Sequence, residues 1–329
     1  MKMIRKYLAL LIMMAAMWPQ IGANAKDWPT QSVKIVLPYP PGGASDVTAR
    51  LLGTKLTEMW GVPIVIENRP GANGIVANEL AAKSPADGYT ILMANLGPNA
   101  VNHAVYRKLP YDSVKDFAPV VLATVVPLVI VTSAESPFKN LKELIASARA
   151  NGGKVTYGSA GVGASSHMTG ELLAEMAHVK FLHVPYKGDA PAIADLIGSQ
   201  IAFALPTVPA AMPHLKSGRL RPLAVTSRTR LASLPDVPTV EEALQLNGFE
   251  ALSWGGFMVP TGTPPNIIAK INADLNTVLQ ASDIKTRLSG LGAEVMGGTP
   301  DAFARFLLDE IAKWKKVADV AKIQLERQD

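Results

Sequence analysis

The 329 residues contain no cysteine. Disulfides, thiolate metal sites and a cysteine nucleophile are therefore excluded, as is a lipid anchor attached through an N-terminal cysteine. No apolar run beyond the first residues approaches the ~20 residues of a membrane-spanning helix. The longest, Val120–Val131, is interrupted by Pro127, is rich in β-branched residues and reads as a buried strand. Solenoid-period repeats and low-complexity tracts are also missing. Positive charge is scarcer than the net +5 implies. Lys2, Arg5 and Lys6 precede an apolar stretch, Tyr7–Trp18, and a small-x-small site at Ala23-Asn24-Ala25, the grammar of a secretory leader. Removing residues 1–25 leaves 29 basic against 27 acidic residues, net +2, which gives no support for nucleic-acid binding. The expectation is a soluble, unanchored protein, cleaved near Ala25 and exported to the periplasm.

Enzyme signatures are absent in the same way. There is no G-x-S-x-G elbow and no Walker A loop. The glycines from Gly158 to Gly163 miss the G-x-G-x-x-G spacing, and His183 stands where a dinucleotide site needs an acid. His103, His167, His178, His183 and His214 are expected to form no i, i+4 pairs with acids, so no metal is expected. Ser166 beside His167 defines the alternative reading, an exported hydrolase. Adjacent residues at a helix start point in different directions, which argues against a nucleophile–base pair. Trp254 and Phe257 read as core beside Gly255-Gly256, and Lys313, Lys315 and Lys316 as a solvated face. No catalytic residue and no cofactor is expected.

What is present is a repeated strand–glycine loop–helix unit. Val33–Leu37 has strand character, Pro38, Pro40 and Pro41 stop it, and Gly42-Gly43 free the backbone. Ser45 and Asp46 then open an amphipathic helix to Met59. Val155–His167 repeats the pattern: strand Val155–Tyr157, then Gly158, Gly161 and Gly163, then Ser165-Ser166 before helix Met168–Ala177. Free N–H groups and the positive dipole end at each helix start suit a phosphate or carboxylate. Two such ends suggest two lobes clamping one anion, as at the carboxyl ends of parallel strands.

Strand and helix patterns alternate along the whole chain, which predicts an α/β fold with largely parallel sheets. Val120–Val131 is expected to cross between lobes at Pro127, and Phe249–Val259 to return through the flexible Gly255-Gly256. Helices are expected near Pro264 and Pro300, where proline suits the first turn. The chain divides into a leader at 1–25, one lobe from 26–125 with 250–329, and a second from 126–249.

Several ordered motifs carry a family resemblance. They are Pro38-Tyr39-Pro40-Pro41-Gly42-Gly43 with Asp46, Glu67-Asn68-Arg69-Pro70-Gly71-Ala72-Asn73-Gly74, Pro85-Ala86-Asp87-Gly88-Tyr89-Thr90 and Tyr157–His167. Val184-Pro185-Tyr186-Lys187-Gly188, Leu223–Ser227, Leu234–Thr239 and Pro260-Thr261-Gly262-Thr263-Pro264 complete the set. The sequence resembles the periplasmic solute receptors of tripartite tricarboxylate transporters, the Bug family, from its leader to its last helix. The resemblance implies a two-lobed type II periplasmic binding-protein fold with two crossing strands as hinge. It further implies a small carboxylate ligand, a membrane permease or sensor ectodomain as partner, and a monomer. Carried over by position, the ligand residues are Gly42, Gly43, Ala44, Ser45, Asn73, Gly74, Gly161, Ser165, Ser166 and His167. The sequence departs from the family where Ala202 and Pro206 stand in place of acids, which implies a less polar pocket.

Overall fold

The computed structural model describes residues 28–42, 44–290 and 292–324. The leader, its cleavage site near Ala25, and Gly43 lie outside the described residues. In chain order the strands are β1 (Val33–Leu37), β2 (Ile64–Asn68), β3 (Thr90–Asn95), β4 (Phe117–Pro127), β5 (Val129–Ser133) and β6 (Thr156–Ser159). They continue with β7 (Leu182–Pro185), β8 (Phe203–Ala204), β9 (Leu220–Val225), β10 (Leu252–Pro260) and β11 (Glu294–Val295). Two sheets result, ordered β11-β4-β10-β3-β1-β2 and β7-β6-β8-β5-β9, one in each lobe of an α/β protein.

The expectation of largely parallel sheets needs correction, because both sheets are mixed. β1 is parallel to β2 and β3, and β6 to β7 and β8. β10 runs antiparallel to β3 and β4, and β5 antiparallel to β8 and β9. The cause is the double crossing. A chain that leaves a lobe on one strand and returns on another must run the two in opposite directions.

Helices cover the sheets with stripes set by the 3.6-residue period. Helix Ala44–Trp60 buries Thr48, Ala49, Leu52, Gly53 and Leu56, then stops where Gly61, at φ +70°, donates its N–H to Thr57 O at 3.0 Å. Helix Leu141–Ala150 starts where the Asn140 side chain accepts the Glu143 N–H at 3.0 Å. Each fully buried Leu, Ile or Phe contributes about 1.5–3 kcal/mol, and Leu52→Ala would cost about 2–5 kcal/mol by leaving a cavity. The final helix, Pro300–Ala321, buries Phe303, Leu307, Glu310, Trp314, Val317 and Ala318. It packs on β4 of the first lobe and on helix Ser165–Ala177 of the second. One buried cluster therefore runs through both lobes, from Leu92 and Phe303 to Tyr157 and Phe203.

The crossings meet at Thr226, which is fully buried. Its hydroxyl accepts the Leu128 N–H at 2.9 Å, between β4 and β5, and donates to Ala251 O at 2.6 Å, just before β10. The second crossing thus lies at Ala251-Leu252, not at Gly255-Gly256. Those glycines are packing residues rather than a flexible joint. A Cβ on Gly256 would stand 2.5 Å from Phe303 Cζ, and one on Gly255 2.7 Å from Met93 Cε. Trp254 and Phe257 are core, as their composition suggested.

Candidate functional site

The loops leaving the carboxyl ends of parallel strands gather at one edge of each lobe. In the first lobe they follow β1, β2 and β3 and hold Tyr39–Gly42, Ala44-Ser45, Asn73-Gly74 and Gly97-Pro98. In the second they follow β6, β7 and β8 and hold Ala160–Ser165, Tyr186–Asp189 and Thr207. Ligands of α/β proteins bind in the crevice outside such ends. The two edges face and touch. A Cβ on Gly163 would stand 3.0 Å from Asn73 Nδ2, and one on Gly97 3.8 Å from Gly163 O. Only glycine permits this approach, and Gly163 also sits at φ +77°. Cavities of about 450 Å³ beside His103 and about 610 Å³ beside Pro209 are lined by none of the glycine-loop residues Gly42, Gly161 or Gly163.

Asp46 organises the first loop. Its carboxylate accepts the Gly42 N–H (3.0 Å), Arg50 Nε (2.9 Å) and Asn68 Nδ2 (3.0 Å). These bonds, Arg50 foremost, hold its pKa down at about 2. Asn68 also donates to Tyr39 O at 3.0 Å, so β2 braces the loop that follows β1. Ser45 Oγ accepts from Asn95 Nδ2 at 2.8 Å. Its hydroxyl is thereby anchored to β3, and Ala44 is exposed at the helix start.

Asn73 has φ +50°, a left-handed conformation that asparagine tolerates better than most residues. Its amide donates to Asn102 Oδ1 at 2.7 Å, and Asn102 returns a bond to Asn73 O at 3.1 Å. Asn102 also donates to Tyr111 Oη, which donates to Pro98 O. Behind it, Asn78 donates to Gly74 O, Asn99 to Asn78 Oδ1, and the Asn95 backbone N–H to Asn99 Oδ1. This buried asparagine chain fixes the second and third loops together. The sequence reading missed Asn95, Asn99 and Asn102, which lie at the end of β3, in the turn Gly97–Val101 and at the start of the short helix Asn102–Val105.

In the second lobe, the side chains of Ser166 and His167 brace the glycine loop that precedes them. Both side chains are buried and act on their own loop: Ser166 Oγ accepts the Ala160 N–H (2.8 Å) and His167 Nδ1 accepts the Gly163 N–H (3.1 Å). Neither makes a nucleophile–base pair with the other. His167 is an i, i+4 neighbour of Glu171, contrary to expectation, with Nε2 to Oε1 at 4.0 Å. The imidazole is neutral, because burial, then neighbouring His183, lowers its pKa to about 3. His183 stacks on it at 4.0 Å, has its own pKa lowered to about 4 by burial, and bonds Ser159 Oγ at 2.6 Å. Glu171 accepts the Tyr157 hydroxyl at 2.6 Å, and burial raises its carboxyl pKa. Helix Ser165–Ala177 has no side-chain cap. The N–H groups of Ser165, Ser166 and His167 precede the first intrahelical bond, and Ser165 keeps a half-buried hydroxyl.

Tyr39 is a further cleft residue. Its hydroxyl lies 3.2 Å from where a Gly97 Cβ would be, at the meeting point of Asn73 and Gly163. Burial raises its pKa, so the phenol is a neutral donor. Among the described residues, no cluster of histidines and acids is placed to hold a metal. No described helix is long and apolar enough to cross a membrane.

Comparison with known proteins gives a consistent picture. The model of the tripartite tricarboxylate transporter family receptor matches residues 48–323. BugT of Bordetella pertussis is 36% identical over 295 residues, covering 89% of this chain and 90% of its own. Among solved structures, Rpa4515 of R. palustris with adipate superposes with a TM-score of 0.82 at 37% identity, covering 92% of this chain and all of that one. MatC of Rhodopseudomonas palustris with bound malate gives 0.78 at 33% identity, over 88% and 99% of the two chains.

Proposed function

The chain belongs to the tripartite tricarboxylate transporter receptor family, and on that premise we propose that it captures a small carboxylate between its lobes and delivers it to a membrane permease. The observation that carries this reading is the pair of glycine-loop helix starts, at Ala44 and Ser165, on facing edges of the two lobes. Solved relatives of the same fold carry adipate and malate. In the proposed site, Gly42, Gly43, Ala44, Ser45, Asn73 and Gly74 form the first-lobe wall. Gly161, Ser165, Ser166 and His167 form the second, the last two through backbone N–H groups while their side chains hold the loop. The receptor family leaves the hydrolase alternative without support.

The division into lobes at 26–125 with 250–329, and 126–249, belongs to the same proposal, with Leu128 and Ala251 as the joints. So do cleavage near Ala25, residence in the periplasm as a monomer, and recognition of the closed form by a permease or a sensor ectodomain. Ligand contacts complete from both sides only in the closed form, and that difference drives closure.

Thermal-shift screening against dicarboxylates, amino acids and aromatic acids tests the reading. A ligand at 100 times its Kd stabilises the fold by about 2.7 kcal/mol. Mass spectrometry should return that ligand unchanged. A panel in which no carboxylate raises the melting temperature, or one that is turned over, refutes it.

A further inference from the structure

We propose that Asp189 makes this cleft select carboxylates that also carry a hydrogen-bond donor, a hydroxyl or an ammonium. The inference rests on the carboxylate reading above and adds the ligand's second functional group. Asp189 opens helix Asp189–Ile197 directly after the loop that follows β7. Gly188 N donates to Ala160 O at 3.1 Å, which sets this turn against the second glycine loop. On the other side, Asp189 Oδ2 accepts the Thr207 N–H (3.2 Å) and the Thr207 hydroxyl (3.0 Å), from the loop that follows β8. The carboxylate therefore stands between two of the three second-lobe loops that face the first lobe.

Its other oxygen, Oδ1, has no hydrogen-bond partner among the described residues, and no cation pairs with the group. Burial raises the carboxyl pKa, yet the side chain keeps partial contact with solvent, the combination expected of a concave wall. A carboxylate can only accept. The proposed site also offers donors for a carboxylate, the N–H groups of Ser165–His167, together with the Ser165 hydroxyl and the Tyr39 phenol, which can donate or accept. A ligand bearing carboxylates alone would satisfy the donors and set like charge beside an unfilled acceptor. A ligand that also bears a hydroxyl or ammonium satisfies both. The pocket is thus more polar than Ala202 and Pro206 imply, because Asp189 brings its acid to Thr207, beside Pro206.

Calorimetric titration of the mature chain with matched pairs tests this: succinate against malate and aspartate, and adipate against 2-aminoadipate. At least one donor-bearing acid should bind the native protein about tenfold or more tightly than its parent, since sites built around a hydrogen bond reject analogues lacking it. Asp189→Ala should bring that ratio within about threefold, with Asp189→Asn intermediate. Parent diacids that bind the native protein as tightly as their donor-bearing partners overturn the inference and leave the carboxylate reading standing. A ratio that survives in Asp189→Ala does the same. Should Asp189→Ala fail to fold, the native ratio and Asp189→Asn still decide. If no acid of this panel binds the native protein, the inference falls, while the carboxylate reading is decided by the wider thermal-shift screen.

Discussion

Protonating the stacked imidazoles of the second lobe should unfold it from the inside. His167 and His183 titrate near 6.5 in an unfolded chain, but at about 3 and about 4 in the fold, where burial keeps them neutral. Between those values the unfolded state binds more protons, so stability rises with pH and is lost as pH falls below 6.5. Going from pH 7 to pH 5, His167 contributes a loss of about 2 kcal/mol, and the partly exposed His183 less because solvent screens it, so the pair loses about 2–3 kcal/mol. That is a large share of the 5–15 kcal/mol typical of a native protein. The structural cost is specific: a proton on His167 Nδ1 takes the acceptor of the Gly163 N–H and sets two cations 4.0 Å apart. Glu171, with its carboxyl pKa raised by burial, takes up a proton more readily in the fold than in the unfolded chain and so opposes the trend. Urea unfolding from pH 5 to 7.5 would measure the slope. His183→Gln should reduce it, and His167→Gln with His183→Gln should reduce it further, leaving the slope of His103 and His214, whose pKa values burial also lowers. A double variant with the native slope would show that the imidazoles are not the titrating groups.

Three further outcomes are expected. Tyr39→Phe removes only the cleft hydroxyl, so carboxylate affinity by calorimetry should fall about tenfold with little change in melting temperature; unchanged affinity would remove Tyr39 from the site. Thr226→Val orphans the Leu128 N–H and Ala251 O at both crossings, a loss of about 2 kcal/mol that lowers the melting temperature by roughly 3 °C. A melting temperature within about 1 °C of the native value would contradict that. Gly163→Val places a side chain against Asn73 at a positive φ, so ligand should no longer reduce the radius of gyration by small-angle scattering; native-like compaction would show that this approach is not needed for closure.

Much of this was legible from sequence because proline, glycine, serine and aspartate punctuate it. The turns after β1 and β6 were placed by Pro38, Gly42 and Gly161, and the helices near Ser45 and Pro300 by local signals that need no tertiary knowledge. The α/β class followed from alternation. The mixed sheets did not, because strand direction depends on which strands carry the chain across, and Val120–Val131 reads the same either way. The loop-bracing bonds of Ser166 and His167 were not legible for a related reason. Their residue types announce donors, but whether they turn toward a ligand or back onto Ala160 and Gly163 is decided by loop curvature. The pairing of Asn73 with Asn102, or of Asp189 with Thr207, joins residues distant in the chain, and no spacing rule connects them. Gly255-Gly256 looked like a joint because glycine signals both freedom and closeness. Met93 and Phe303 show that closeness was the reason.

The buried carboxylate of Glu310 accepts both indole N–H groups, Trp254 Nε1 at 3.1 Å and Trp314 Nε1 at 2.9 Å. Trp254 belongs to the first sheet, and Trp314 rides on the helix that braces the second lobe. Two fluorophores thus share one hydrogen-bond acceptor, and both lie in the part of the chain assigned to the first lobe. Indole emission responds to the strength of such bonds, so loosening of the final helix from the first sheet would register as a change in colour or intensity. The protein carries its own optical gauge of that packing, readable in a cuvette without a label.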